Sequence, residues 1–219
     1  MNSYEIKPLP DLLASGYINW KSSVYLTKKN LHEKLYREGQ KPKFMVISCC
    51  DSRINPNTIF NTDIGELFVY RNIANIVPDF ESTRFEDGIF SALEYATISL
   101  KIKNIIVLGH SNCGGVKHAL DKCISSNNSP DLVYVNKWTN LIVGNYKQIP
   151  HNIDIKEQQI FLEKENIKSS VKNIIKFLTL KKEFETKKLS IHGLWFDINR
   201  GSLLQLDKID GDFVKIIHE

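Results

Sequence analysis

Short apolar runs alternate with stretches of helical periodicity along most of the chain. Four apolar runs predict β-strands, at residues 44–48, 67–70, 104–108 and 189–197. Apolar residues that recur every three or four positions predict helices, at 23–39, 86–100, 116–124, 132–146 and 155–180. The last of these helices is expected to turn a Lys/Glu-rich face outward. Because strands alternate with helices, the pattern predicts an α/β domain with a mainly parallel central sheet flanked by helices.

The two ends of the chain depart from this alternation. Tyr17 and Trp20 stand in an otherwise polar arm, so we expect this N-terminal helical arm to pack on another surface such as a second subunit. At the other end, turn residues at 199–201 predict a β-hairpin, and 213–217 predict a further edge strand. We therefore expect a single domain. It consists of an arm at 1–39, a core at 40–124 with the chemistry-bearing motifs, and helices with the hairpin at 125–219.

The composition excludes several classes of function. Hydrophobic residues make up 42% of the chain, charged residues 25%, and the formal net charge is +4. The lysines are spread along predicted helix faces, which argues against a nucleic-acid-binding surface. No apolar stretch reaches the length of a membrane span and the N-terminus has no apolar signal region, so we expect a cytoplasmic protein without a membrane partner. There, the four cysteines are expected to be reduced thiols or metal ligands.

Two strand ends carry the residues that could bind a metal. Cys49 ends the strand at 44–48, and the strand at 104–108 leads into His110 and Cys113. Thiolate and imidazole are zinc ligands, and a set of three without a fourth Cys or His is the catalytic pattern. We therefore predict that the two strand ends meet around one zinc ion. The remaining thiols, Cys50 and Cys123, are interpreted as packing residues.

A charged pair follows the first of these ligands. Asp51 and Arg53 have the spacing of a bidentate carboxylate–guanidinium pair in a tight turn. Paired in this way, Asp51 stays ionised and can accept a hydrogen bond from a hydroxide bound to the zinc, which would orient the oxygen lone pair for attack. Without its partner, Asp51 could become a fourth zinc ligand and close the site.

With these motifs the sequence resembles the β-class carbonic anhydrases. The stretch 49–53 matches the Cys-x-Asp-Ser-Arg signature of that family, and 110–115 matches its His-x-x-Cys-Gly signature. Between them, 65–75 resembles the family's strand and loop, and 94–96 resembles the helix that follows. The resemblance implies a Zn²⁺ cofactor and reversible hydration of CO2 to bicarbonate and a proton. Hydroxide generated at the zinc would attack CO2, oriented by the Asp–Arg dyad.

The resemblance also implies a substrate pocket. Gln40 would contact the substrate across a dimer interface, so a homodimer is the smallest expected unit, and a tetramer or other larger homo-oligomer would fit the family. Phe68, Ile73 and Tyr95 would form the apolar wall around CO2, and Gly114 would contribute a backbone contact.

The resemblance favours one subtype of the family and leaves two other functions open. Val46 stands where members that bicarbonate can switch into an aspartate-ligated form have Trp, so an open, plant-like site is expected. One alternative is hydrolysis of CS2 or COS on the same scaffold. The other is a non-catalytic module that zinc stabilises, with a closed site of four ligands.

Overall fold

The computed structural model describes residues 6–81, 87–125, 131–150, 152–180 and 189–216 of the chain. These residues form two compact units, Met1–Lys41 and Pro42–Glu219. Residue 86 of one predicted helix and residue 217 of the predicted edge strand lie outside the described residues.

The first unit is helical. It contains α1 (Asp11–Trp20), a π-helical turn (Lys21–Tyr25) and α2 (Lys29–Glu38). Gly39 ends α2 with a φ of 73°, a backbone conformation that glycine adopts without strain. Several large apolar side chains of this unit are exposed, among them Leu12 (84%) and Tyr36 (91%).

In the residues that the structure describes, the second unit is built on a six-stranded sheet. Its strands are β1 (Phe44–Cys49), β2 (Leu67–Asn72), β3 (Asn104–His110), β4 (Ser190–Asp197), β5 (Ser202–Leu206) and β6 (Phe213–Lys215). They are ordered β2-β1-β3-β4-β5-β6. The first four are parallel, whereas β4, β5 and β6 pair antiparallel. The prediction of a mainly parallel sheet with a C-terminal hairpin is confirmed.

Helices and short helical turns connect the strands. They are α3 (Pro56–Ile59), a 3₁₀ turn (Ile73–Asn75), α4 (Asp87–Glu94), a π-helical turn (Tyr95–Ser99), α5 (Gly114–Ser125), α6 (Val133–Val143), a second 3₁₀ turn (Gly144–Gln148) and α7 (Ile155–Leu180). Ile47 and Val107, from the two central strands, pack in one buried cluster with Leu93 of α4 and Ile174 of α7. Val46 and Leu108, whose side chains point to the opposite face, lie in a second buried cluster. Burial on both faces explains why both strands are almost continuously apolar.

Candidate metal centre

The parallel pairing of β1 and β3 brings the predicted ligands together. Ser48 lies opposite Leu108, so Cys49 and His110 occur at the same edge of the sheet, where the carboxyl ends of both strands lie. Asn112, with a φ of 56°, turns the chain after β3 and places Cys113 directly before α5. Cys49, His110 and Cys113 are all buried.

The separations of the donor atoms fit a tetrahedral zinc ion. The ligand atoms of Cys49, His110 and Cys113 lie within 4.8 Å of one another, and the two sulfurs are 3.9 Å apart. Two Zn–S bonds of about 2.3 Å at a tetrahedral angle separate their sulfurs by about 3.8 Å. Two thiolates and one imidazole are also the donor types that zinc prefers. These residues therefore fit Zn²⁺.

The imidazole of His110 is held in the tautomer that a metal requires. Its Nδ1 lies 3.0 Å from the carbonyl oxygen of Ser111, which can only accept, so Nδ1 carries the proton. Nε2 is buried and has no hydrogen-bond partner among the residues that the structure describes. The Nε2 lone pair is thus free to bind a cation.

The two thiols behave as a pair that shares one proton. A hydrogen bond from Cys113 lowers the pKa of Cys49, and the same bond, together with burial, raises the pKa of Cys113. The backbone N–H of Ala74 also donates to the sulfur of Cys49, at 3.3 Å. A metal cation would take the place of the shared proton.

Asp51 and Arg53 form the bidentate pair that their spacing predicts. Arg53 Nε donates to Asp51 Oδ1 at 2.9 Å, and its terminal nitrogen donates to Oδ2 at 2.7 Å. These bonds hold the pKa of Asp51 well below its usual range, so the carboxylate is ionised. Asp51 Oδ2 lies 3.9 Å from Nε2 of His110. A carboxylate engaged by Arg53 therefore stands beside the cluster.

The Asp51–Arg53 pair predicts how the stability of the metal-free protein depends on pH. The pKa of Asp51 in the folded protein lies below its unfolded value of about 3.9. The stabilisation of the fold by the Asp51–Arg53 pair is therefore complete above about pH 3.9, and it is lost as the pH falls through the folded-state pKa. Urea unfolding should show Arg53→Ala less stable by under about 1 kcal/mol, since that side chain is 45% exposed. The difference should be fully present at about pH 5 and should shrink as the pH falls below about 4. A difference that does not shrink at low pH would contradict the assignment.

Arg71, at the end of β2, clamps the loop that carries Asp51. Its guanidinium donates to three backbone carbonyls, those of Cys49 at 2.9 Å, Asp51 at 2.9 Å and Ile54 at 2.8 Å. The sequence places Arg71 at the end of a strand, but its targets depend on β2 being the neighbour of β1. This pairing is a tertiary fact that the sequence pattern does not contain.

Glu163 of α7 is a site residue that the sequence analysis missed. Its carboxylate accepts the backbone N–H of Cys113 at 2.9 Å, the indole N–H of Trp195 at 3.1 Å and an amide N–H of Gln159 at 3.0 Å. Burial raises the pKa of Glu163. The helix is expected to turn a Lys/Glu-rich face outward, but this glutamate lies on its buried side and is 2% exposed. One signal could have revealed it, since residue 163 precedes the buried Ile167 by one helical turn.

Glu163→Gln is expected to weaken metal binding. The substitution keeps the shape but replaces an acceptor oxygen by an amide donor, which then faces another donor. We expect zinc affinity to fall about 10–100-fold and the free energy of unfolding to fall by about 1–3 kcal/mol. Chelator competition and urea unfolding measure both quantities. Glu165→Gln is the matched control, because Glu165 lies on the same helix and bonds Lys168 instead; equal effects of the two variants would contradict this role.

Of the residues predicted to form the substrate pocket, some are adjacent in the chain to residues of the cluster, whereas others lie far from it along the sheet. Ile73 precedes Ala74 and is 39% exposed, and Gly114 follows Cys113 at the start of α5. The Phe68 and Tyr95 rings contact each other, with centroids 6.0 Å apart. Phe68 pairs with Met45, four residues before Cys49, which places its backbone about 13 Å along the strand from the cluster. Gln40 belongs to the first unit, so its role stays a prediction.

One interpretation of the other thiols is wrong. Cys50 is exposed rather than packed, because it follows the last residue of β1, where the chain leaves the sheet. Its backbone N–H still donates to the carbonyl oxygen of Asn72. Cys123 is half-buried. Neither belongs to the cluster.

Comparison with known proteins agrees with this geometry. Residues 44–203 match the family model described as carbonic anhydrase. The chain is 32% identical over 201 residues to β carbonic anhydrase 3 of Arabidopsis thaliana. The aligned region covers 89% of this chain and 76% of the relative. The chain belongs to the β-class carbonic anhydrases.

Solved structures show the same fold. The β-carbonic anhydrase CcaA is 31% identical, with a TM-score of 0.78 over 94% of this chain and 92% of that one. A tetrameric β-carbonic anhydrase of Sordaria macrospora is 28% identical, with a TM-score of 0.75 over 90% and 96% of the two chains.

Proposed function

We propose that the protein is a zinc-dependent carbonic anhydrase, which converts CO2 and water reversibly into bicarbonate and a proton. The observation that carries this proposal is the buried Cys₂His cluster with an ionised Asp51 beside it, in a chain of the β-class family. Cys49, His110 and Cys113 would hold the ion. When bound, Zn²⁺ lowers the pKa of water and offsets negative charge that develops on the substrate.

Asp51 and Arg53 orient the oxygen that attacks CO2. The two thiolates and the neutral imidazole would balance the charge of a bound Zn²⁺ ion. Asp51, ionised and fixed by Arg53, accepts a hydrogen bond from the attacking oxygen and points its lone pair at the carbon of CO2. Bicarbonate then leaves, and the proton passes to buffer.

The paired state of Asp51 supports the open subtype. Both carboxylate oxygens are engaged by Arg53, and Arg53 itself is held by the carbonyl oxygen of Asn112 at 3.1 Å. To become a fourth ligand, Asp51 would have to give up two charge-assisted hydrogen bonds. Arg53 therefore keeps the fourth position accessible.

A homo-oligomer completes the proposal. Phe68 and its neighbour Tyr95 are distant along the sheet from the cluster of their own chain, and Tyr95 is 48% exposed. We infer that a second copy supplies these rings and Gln40 to the pocket, while Ile73 and Gly114 come from the chain that holds the metal. The exposed apolar side chains of the first unit support association, and the Sordaria macrospora structures are described as tetrameric. A cytoplasmic location stays a prediction. Among the described helices, none combines the length and the hydropathy of a membrane span.

The proposal is tested by measuring zinc content and turnover of CO2 and CS2 on the same preparation. We expect one zinc ion per chain, CO2 hydration that scales with zinc content, and negligible CS2 hydrolysis. Turnover of CS2 that exceeds that of CO2 would favour the hydrolase alternative. Full zinc content with neither activity would favour a zinc-stabilised module.

A further inference from the structure

We propose that Asn166 of α7 is a positioning residue, which holds the backbone N–H of Ala74 on the sulfur of Cys49 and so controls how that thiolate binds metal. The inference rests on the metal site proposed above and extends it to a buried residue that is not itself one of the proposed ligands. Three observations carry it.

The first observation is the conformation of the loop after β2. Ala74 donates its N–H to Cys49 Sγ at 3.3 Å, and to do so it adopts a left-handed backbone with φ 64° and ψ 23°. Asn75 follows with a φ of 48°. Residues with a Cβ rarely occupy this region, so the surrounding structure must hold the loop in place.

The second observation is how α7 holds this loop. Asn166 is 3% exposed, and its Nδ2 donates to the carbonyl oxygen of Ala74 at 2.7 Å. One turn further on, Ser170 Oγ accepts the N–H of Val77 at 3.0 Å. The side chains of one helix thus bind both ends of the strained segment, and Asn166 binds the residue whose N–H reaches the sulfur.

The third observation is the close packing behind the loop. A Cβ added to Gly115 would lie 2.6 Å from Ile73 Cγ2 and 3.1 Å from the Cβ of Ala74. On the same side, the indole N–H of Trp138 donates to the carbonyl oxygen of Ile73 at 2.8 Å. The Ile73 carbonyl shares a peptide group with the N–H of Ala74, so Trp138 and the packing limit where that group can lie. The bond from Asn166 holds the next peptide group, between Ala74 and Asn75, and so maintains the left-handed backbone of Ala74 that keeps its N–H directed at the sulfur.

This orientation has a chemical consequence. A hydrogen bond to a metal-binding sulfur withdraws charge from it and fixes its direction. Because two thiolates donate much charge to one ion, the Ala74 N–H would moderate the donation from Cys49. Removing the support of Asn166 should weaken the bond to sulfur and leave the ligand loop less organised, although Cys49 itself is unchanged.

The experiment uses the full chain loaded with ¹¹³Cd²⁺ and compares wild type, Asn166→Ala and Asn173→Ala. Asn173 is the matched control, because it lies on the same helix and donates to a loop carbonyl, that of Val77, at 2.8 Å. NMR should show scalar coupling between the cadmium and the amide proton of Ala74 in wild type and in Asn173→Ala, but not in Asn166→Ala. Chelator competition should show a roughly tenfold loss of cadmium affinity in Asn166→Ala alone.

The other possible results distinguish a failure of the inference about Asn166 from a failure of the proposed metal site. No coupling at Ala74 in metal-loaded wild type, or equal changes in the two variants, would overturn the inference and leave the metal site intact. A wild type that binds no cadmium would instead remove the proposed site itself. If Asn166→Ala does not fold, Asn166→Ser takes its place, and the coupling in wild type still decides whether the N–H contacts the sulfur.

Discussion

Replacing Cys113 by serine is expected to abolish zinc binding and CO2 hydration together. A serine hydroxyl is a poor zinc ligand beside one thiolate and one imidazole, and the lost sulfur stands 3.9 Å from its partner, at the separation that a shared ion requires. Replacing a residue that only supports a metal ligand already lowers metal affinity or activity about 10–100-fold. For the ligand itself we therefore expect both zinc affinity and kcat/KM to fall by more than about 100-fold. Zinc analysis after dialysis and stopped-flow CO2 hydration measure the two effects.

Cys123→Ser is the matched control for this prediction. Cys123 lies on α5, the helix that begins after Cys113, and it is only half-buried and outside the cluster. The control should keep its zinc and its activity. Hydration that persists in Cys113→Ser without zinc would show that the cluster is not the catalytic centre.

Asp51→Asn is expected to lower kcat/KM by about 100-fold while zinc stays bound. The amide carries no charge, and its nitrogen is a donor where Arg53 needs an acceptor, so the orienting contact to the attacking oxygen is lost. The ligands themselves are untouched. Steady-state hydration rates and zinc content, measured on the same sample, separate a loss of orientation from a loss of metal.

Asp197→Asn provides the comparison for this variant. Asp197 ends β4 at the same edge of the sheet, caps the following turn and lies near Arg200, but it does not belong to the cluster. We expect its activity to stay within twofold of wild type. If Asp51→Asn were as active as this control, Asp51 would have no role in orienting the attack; if Asp51→Asn lost its zinc, Asp51 would be a ligand.

The sequence predicts the fold because the two central strands leave a clear signal. Residues 44–48 and 104–108 form the central strands of the parallel sheet and contribute to buried clusters on both of its faces, so they are apolar almost throughout. Turn residues mark the hairpin. The proposed ligand set also follows from the sequence. Cys49 and His110 each stand at a strand end, and parallel neighbours bring such ends to one edge.

The supporting residues could not be predicted in the same way. Glu163, Asn166 and Ser170 lie on a helix whose sequence is rich in Lys and Glu, and only tertiary packing shows that this polar stripe is buried against the loops of the cluster. Arg71 depends on which strand neighbours β1. The position of Phe68 depends on strand register, which is set by the pairing with Met45 rather than by any local pattern.

The central claim is that Cys49, His110 and Cys113 bind zinc while Arg53 holds Asp51 away from the fourth position. A zinc K-edge absorption spectrum, recorded across pH with and without added bromide, tests this most directly. We expect two sulfur ligands at about 2.3 Å and two lighter ligands at about 2.0–2.2 Å, one of which bromide replaces. A spectrum that shows the same four ligands at every pH, unchanged by bromide, would contradict it.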